Sequence, residues 1–243
     1  MRNLSISKKL MFALPHPLLF YTYKFFCRRK FKGGQKRRTK IALDNENSLN
    51  GFDRYRCIFI HIPKAGGVSL ASELFGNLGG GHQAIYSYYL VYSPKEFNEY
   101  YKFSIVRNPW DRIVSAYFFL KEGGFHEYDR SWFIKNLSMF TDFEDFILHW
   151  VTKKNVNSYM HFIPQFEFLT LGGNLLVDKV YKIEEMTSVI EDLNGKLGAK
   201  LCGHKKNTTK GRKSNYRVYY SDETRKIVAD VYKKDIQIFN YTF

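Results

Sequence analysis

Residues Arg56 to Leu78, RCIFIHIPKAGGVSLASELFGNL, place the tightest constraint on what this chain can fold into. Ile58, Phe59, Ile60 and Ile62 form a short β-branched and aromatic run of the kind that makes a buried strand. Pro63 ends that run, and Ala65-Gly66-Gly67 supplies a loop in which positive φ costs little. Val68, Leu70, Ala71, Leu74, Phe75 and Leu78 then recur at helical spacing, with Gly79-Gly80-Gly81 as the predicted stop. A strand, a glycine loop and a helix N-terminus in succession gather backbone N–H groups at the positive end of the helix dipole. Lys64 adds a full charge there and Ser69 a hydroxyl, so the pattern suits a phosphate-like anion. It also suits a plain strand-to-helix connection. It is not a Walker A loop, because the GK[ST] ending is absent and the lysine precedes the glycines.

A second unit of the same kind runs from Lys102 to Leu120, KFSIVRNPWDRIVSAYFFL. Phe103, Ile105 and Val106 read as a strand, Asn108 as an N-cap and Pro109 as the first helical residue. Ile113, Val114, Ala116, Tyr117 and Leu120 supply the apolar stripe of the helix. Arg107 falls at the carboxyl end of the strand, where α/β proteins place their ligands. Asp111 and Ser115, four apart, share one face. An Asp111–Arg112 surface pair with a small buried Ser115 is the structural alternative.

Together the two stretches resemble the sulfotransferases that use 3′-phosphoadenosine 5′-phosphosulfate (PAPS), in the carbohydrate-type branch called sulfotransferase family 2. HIPKAGGVSL resembles that family's 5′-phosphosulfate loop, and VRNPWDRIVSAY its 3′-phosphate site. The resemblance continues through MHFIPQFEFL, VDKVYKIEEM and the closing segment YYSDETRKIVADVYKKDIQIFNYTF, covering about Ile58 to Phe243. It implies that Lys64, Ala65, Gly66, Gly67, Val68 and Ser69 hold the phosphosulfate, and that Arg107 and Ser115 hold the 3′-phosphate. It further implies a histidine after the first helix, matched by His82, as general base, since an imidazole near its own pKa can take the acceptor's proton. Glu73 is the weaker alternative base, and His161 and Gln165 fall where the family has residues near its cleft. A loop folded over the nucleotide makes Arg212, Lys213 and Tyr216 donor contacts by the same resemblance.

The formal charge of +15 is unevenly spread. Residues 1–40 hold twelve Lys or Arg and no acidic side chain, whereas the other 203 residues hold 26 basic and 23 acidic ones. The excess therefore belongs to a leader, 1–40, and the domain's own charge does not point to a nucleic acid. Leu10 to Cys27 is mainly apolar but is interrupted by Pro15, His16, Pro17 and Lys24, too short and broken for a spanning helix. With Arg28-Arg29-Lys30 behind it, it reads as a segment lying on an anionic cytoplasmic leaflet, with a disordered basic tail or a signal anchor as the alternatives. Residues 41–55 are polar and read as a linker into a domain at 56–243. The three cysteines, Cys27, Cys57 and Cys202, form no ligand or disulfide pattern, which fits a reducing, cytoplasmic setting and no metal site.

In the remainder, TDFEDFILHWV predicts a helix capped by Thr141, with Glu144 completing a capping box and Phe143, Phe146, Ile147 and Trp150 inward. Leu175 to Ile183 predicts a strand, and TSVIEDLNGKLG a helix that starts at Thr187 or Ser188 and stops at Gly198. His204 to Arg217 is a basic polar loop, and Ser221 caps a last helix that buries Ile227, Val228 and Val231. Strands alternating with helices imply an α/β fold, a three-layer P-loop-like domain with a central parallel sheet and helices on both faces. The expected function is PAPS-dependent O-sulfation of a carbohydrate hydroxyl, on a glycan or glycolipid, without a metal. A kinase on a similar sheet and a catalytically silent, membrane-tethered nucleotide-binding protein are the rival readings.

Overall fold

The computed structural model describes residues 14–43, 45–203 and 212–243. They form two compact units, one within 14–106 and 165–203, the other within 107–164 and 212–243. Most of the basic loop, residues 204–211, and the first thirteen residues of the leader lie outside the described residues.

The first unit is built on a parallel three-stranded sheet, β1 (Cys57–Ile60), β2 (Tyr101–Val106) and, after a short hairpin, β5 (Lys179–Lys182). The strand order is β1-β2-β5, with Ile60 opposite Ser104 and Val106 opposite Lys182. All four residues of β1 are buried, as its unbroken apolar run requires of a parallel strand flanked by helices. Ser104, polar inside β2, donates its hydroxyl to the Ile60 carbonyl at 2.7 Å. The buried ammonium of Lys102 is likewise satisfied, donating to the carbonyls of Phe97 (3.0 Å) and Tyr100 (2.9 Å) and pairing with Asp178 at 3.0 Å. Asp178 also accepts the Lys102 N–H, so this one residue fixes the entry of β5 beside β2.

β5 starts at Lys179 rather than Leu175, because Asn174–Leu175 (β4) turns back on Thr170–Leu171 (β3) through Gly172 and Gly173, both at positive φ. The helix after the glycine loop is Gly67–Phe75. It stops short of the predicted Leu78 because Gly76, at φ +68°, provides the left-handed cap before the Gly79–Gly81 run is reached. The Met186–Leu197 helix begins after Glu185, ahead of Thr187 and Ser188, and ends at Gly198 as expected.

The His16–Phe26 and Arg28–Thr39 helices pack on the first unit. The His16 ring stacks on Tyr89 at 3.5 Å and donates to its carbonyl at 2.7 Å. Arg37 donates to the Gly80 carbonyl, and Arg38 lies between Asp53 (2.7 Å) and Glu96 (2.6 Å). The polar 41–55 stretch contains a helical turn, Asn50–Tyr55, whose Phe52 is fully buried.

In the second unit the Pro109–Lys121 helix is capped as predicted, the Asn108 side chain accepting the Trp110 N–H at 3.1 Å. Its apolar stripe meets the Phe143–Trp150 and Asp222–Val231 helices in a core that includes Trp110, Val114, Tyr117, Phe146, Phe162, Val228 and Tyr232. Phe143, Phe146, Ile147 and Trp150 point inward as expected, but the cap is Asp142; Thr141 instead donates to the Asp145 carboxylate. Ser221 caps the later helix, which buries Val228 and leaves Ile227 and Val231 half-buried. Arg112 is not the surface partner of Asp111. It is buried, donates to the Ile163 carbonyl at 2.9 Å, and is held below its ordinary pKa by that burial, against the pull of Tyr232 and Asp235.

Asp129 organises the turn before the Glu127–Asn136 helix. It accepts the N–H groups of Phe125 (2.9 Å) and His126 (3.3 Å) and the hydroxyl of Tyr159, with His161 Nε2 at 3.6 Å. Burial alone would raise this carboxyl, but the hydrogen bonds from His161, Tyr159 and Phe125 outweigh it and hold the group well below its ordinary 3.8. A depressed folded pKa contributes stability that is present above the unfolded value and is lost as pH falls toward the folded one. Asp129→Asn should therefore cost about 2–3 kcal/mol at neutral pH and weaken the dependence of stability on acid below pH 3.8. Thermal unfolding across that range tests this; an acid limb unchanged by the substitution contradicts it.

Candidate functional site

β1 delivers the chain into a turn through His61, Ile62 and Pro63, all buried. Lys64 and Gly66 both adopt left-handed backbone, at φ +66° and +80°, around buried Ala65. For a lysine that conformation costs on the order of 1 kcal/mol, so the surrounding packing must impose it. The turn is tightly packed at both glycines. A Cβ on Gly66 would lie 2.6 Å from Ile183 Cδ1, and one on Gly67 would lie 2.1 Å from the His61 ring. Neither position has room for a side chain. The Gly67–Phe75 helix that follows has no side-chain cap at its N-terminus, while Lys64, Val68 and Ser69 remain partly exposed beside it.

His61 was not among the residues singled out from the sequence. Its signal was a histidine set between Ile60 and Ile62 in an otherwise apolar run. Its ring stacks on Phe59 and lies 4.3 Å from the ring of His82, and its carbonyl is 3.1 Å from His82 Nδ1. A carbonyl can only accept, so Nδ1 carries the proton and the neutral ring of His82 has its lone pair on Nε2. The structure thus brings His82 to the end of β1, twenty-one residues along the chain from His61.

Glu73 faces elsewhere: its carboxylate accepts the N–H groups of Cys202 and Gly203, tying the loop helix to the chain beyond the Met186–Leu197 helix. Gln165 is fully buried at the start of the Phe166–Leu169 turn.

In the second unit Arg107 donates Nε to Asp111 at 2.8 Å, and a terminal nitrogen lies 2.7 Å from the same carboxylate. Arg212 reaches the other oxygen of Asp111 at 2.6 Å. Two guanidinium groups therefore share one carboxylate in the first turn of the Pro109–Lys121 helix, at the positive end of its dipole. The sequence did not foretell this use of Asp111. Ser115, one turn on, is only 2% exposed. Tyr216 is half-buried and packs edge-on against Phe243; Lys213 is exposed and donates its N–H to the Tyr219 hydroxyl at 2.6 Å. His161 is buried in the Asp129 cluster, its ring against Phe119. Among the described residues no group of three or more His, Cys, Asp or Glu side chains could hold a metal ion.

The sequence model of the sulfotransferase family matches residues 82–242. The match takes in His82, Arg107, Ser115, His161, Gln165, Arg212, Lys213 and Tyr216, and it begins beyond the Lys64–Ser69 loop and Glu73. No curated protein and no solved structure matches the chain. With two thirds of its residues matched on a parallel α/β fold, the chain belongs to the sulfotransferase family, whose chemistry is the transfer of a sulfuryl group.

Proposed function

We propose that this protein transfers a sulfuryl group from PAPS to a hydroxyl of a carbohydrate acceptor, a glycan or glycolipid. The observation that carries the choice of donor is the convergence of Arg107 and Arg212 on Asp111. A 3′-phosphate is what separates PAPS from adenosine 5′-phosphosulfate, and guanidinium groups that converge at a helix N-terminus suit a phosphate dianion. Lys213 and Tyr216, close along the chain, are further donor contacts in this reading, as is the Ser115 hydroxyl.

The reaction needs in-line placement and stabilisation of charge on the leaving group more than it needs covalent help. As the acceptor oxygen bonds to sulfur, the bond from sulfur to the bridging oxygen of the 5′-phosphate breaks. Charge then grows on that phosphate. Lys64, the amides of Gly66 to Ser69 and the Ser69 hydroxyl receive it at the helix N-terminus. The acceptor's proton passes to His82 Nε2, the position left basic by the hydrogen bond from Nδ1 to the His61 carbonyl. The products are a sulfate ester and 3′-phosphoadenosine 5′-phosphate, and the scheme uses no metal.

Arg107→Ala should weaken binding of 3′-phosphoadenosine 5′-phosphate by about 1.5–3 kcal/mol. Calorimetry showing wild-type affinity in that variant removes the 3′-phosphate assignment. Lys64 and His82 should separate in a different experiment. Lys64→Ala should lower both donor affinity and the rate of single-turnover sulfuryl transfer. His82→Ala should leave donor affinity near wild type and slow transfer by roughly 10²- to 10⁴-fold. Wild-type transfer by His82→Ala would remove the histidine from the chemistry.

A further inference from the structure

The first two helices among the described residues, His16–Phe26 and Arg28–Thr39, use only one face each to pack on the first unit. In His16–Phe26 the packed side holds His16, Leu19 and Phe20. The opposite side holds Leu18, Tyr21 and Phe25 at i, i+3 and i+7, exposed by 53%, 62% and 78%, with Phe26 beside them at 78%. In Arg28–Thr39 the packed side holds Phe31, Gln35 and Arg38, and the opposite side holds Arg29, Lys32 and Lys36, again at i, i+3 and i+7 and all exposed. No acidic residue occurs from 14 to 43, and exposed Ile41 and Leu43 follow the cationic helix. Solvent alone would not favour an aromatic stripe and a cationic stripe placed side by side along the chain.

We infer that these two outward stripes form a face that lies on an anionic bilayer. Leu18, Tyr21, Phe25 and Phe26 enter the headgroup boundary, and Arg29, Lys32 and Lys36 meet the negative lipid charge. The charge match argues for this occupant. An acidic protein or a nucleic acid would engage the cations but would leave the apolar stripe in water. The face lies on the membrane and does not cross it, because no described helix is long and apolar enough to span one. Arg37 and Arg38 bond the face to the unit that carries the Lys64 loop. The inference does not depend on the identity of the sulfuryl donor.

Flotation of the full chain with vesicles tests it, using phosphatidylcholine alone and phosphatidylcholine mixed with phosphatidylserine, at low and high salt. The wild type should float with the anionic vesicles, less so at high salt, and should not float with the neutral ones. Leu18→Ser/Tyr21→Ser/Phe25→Ser and Arg29→Gln/Lys32→Gln/Lys36→Gln should each lower partitioning at least about tenfold, with Tm and nucleotide affinity unchanged. The single substitution Phe25→Ser gives the same readout in milder form should a triple variant fail to fold. Wild-type flotation of either triple variant overturns the proposal. So does equal flotation with neutral vesicles. A wild type that does not float, and whose serine variant dissolves a dimer seen by sedimentation, would make the face a contact between copies instead. Binding of RNA that depends on the cations and not on the aromatic stripe would likewise overturn it.

Discussion

The contact between the His61 ring and Gly67 is the constraint on which the candidate site rests. The ring occupies the space that any side chain at position 67 would need, and Ile183 does the same at position 66. The turn is thereby compressed between a strand end and a helix start. Lys64 takes a left-handed conformation it would not choose in isolation. The consequence is chemical as well as steric. The amides of the first helical turn have no side-chain cap, and the lysine that precedes them sits on the same short turn. The same histidine sets the tautomer of His82 through its carbonyl. One residue at the end of β1 thus packs against the glycine turn and bonds the proposed base.

The cationic motif after β2 works by a different balance. Arg107 and Arg212 are far apart in sequence, and both lie mostly out of water. Two guanidinium groups so placed would repel unless a carboxylate stood between them, and Asp111 is that carboxylate. It holds the pair close together. Guanidinium groups so arranged can donate to a phosphate dianion, and the helix N-terminus favours the same charge. Asn108 holds this end of the helix from the other side, accepting the Trp110 N–H and donating to the Thr242 carbonyl at 2.7 Å.

Much of this could be read from local chemistry. The apolar run Ile58–Ile60, the Asn108-Pro109 cap and the Gly198 stop each depend on neighbours in sequence, and each appears where it was expected. What could not be read depends on residues distant along the chain. Arg112 looked like a surface partner of Asp111 because spacing does not reveal that Ile163 will supply a buried carbonyl. His161 looked like a site residue, but Asp129, thirty-two positions earlier, takes it into a structural cluster. Glu73 is occupied by N–H groups from residues 202 and 203. The basic helix read as a leader is bonded through Arg38 to Asp53 and Glu96, one of them beyond the first strand. Local signals fixed the elements; long-range pairing decided which polar side chains were left for chemistry.

The most direct test of the account is transfer itself. The full chain would be incubated with PAPS labelled in its sulfuryl group, a panel of glycans and glycolipids, and a metal chelator. A labelled sulfate ester is expected on at least one carbohydrate, formed together with an equal amount of 3′-phosphoadenosine 5′-phosphate. Tight donor binding with no label moved to any acceptor in the panel, or transfer from adenosine 5′-phosphosulfate as efficient as from PAPS, would contradict it.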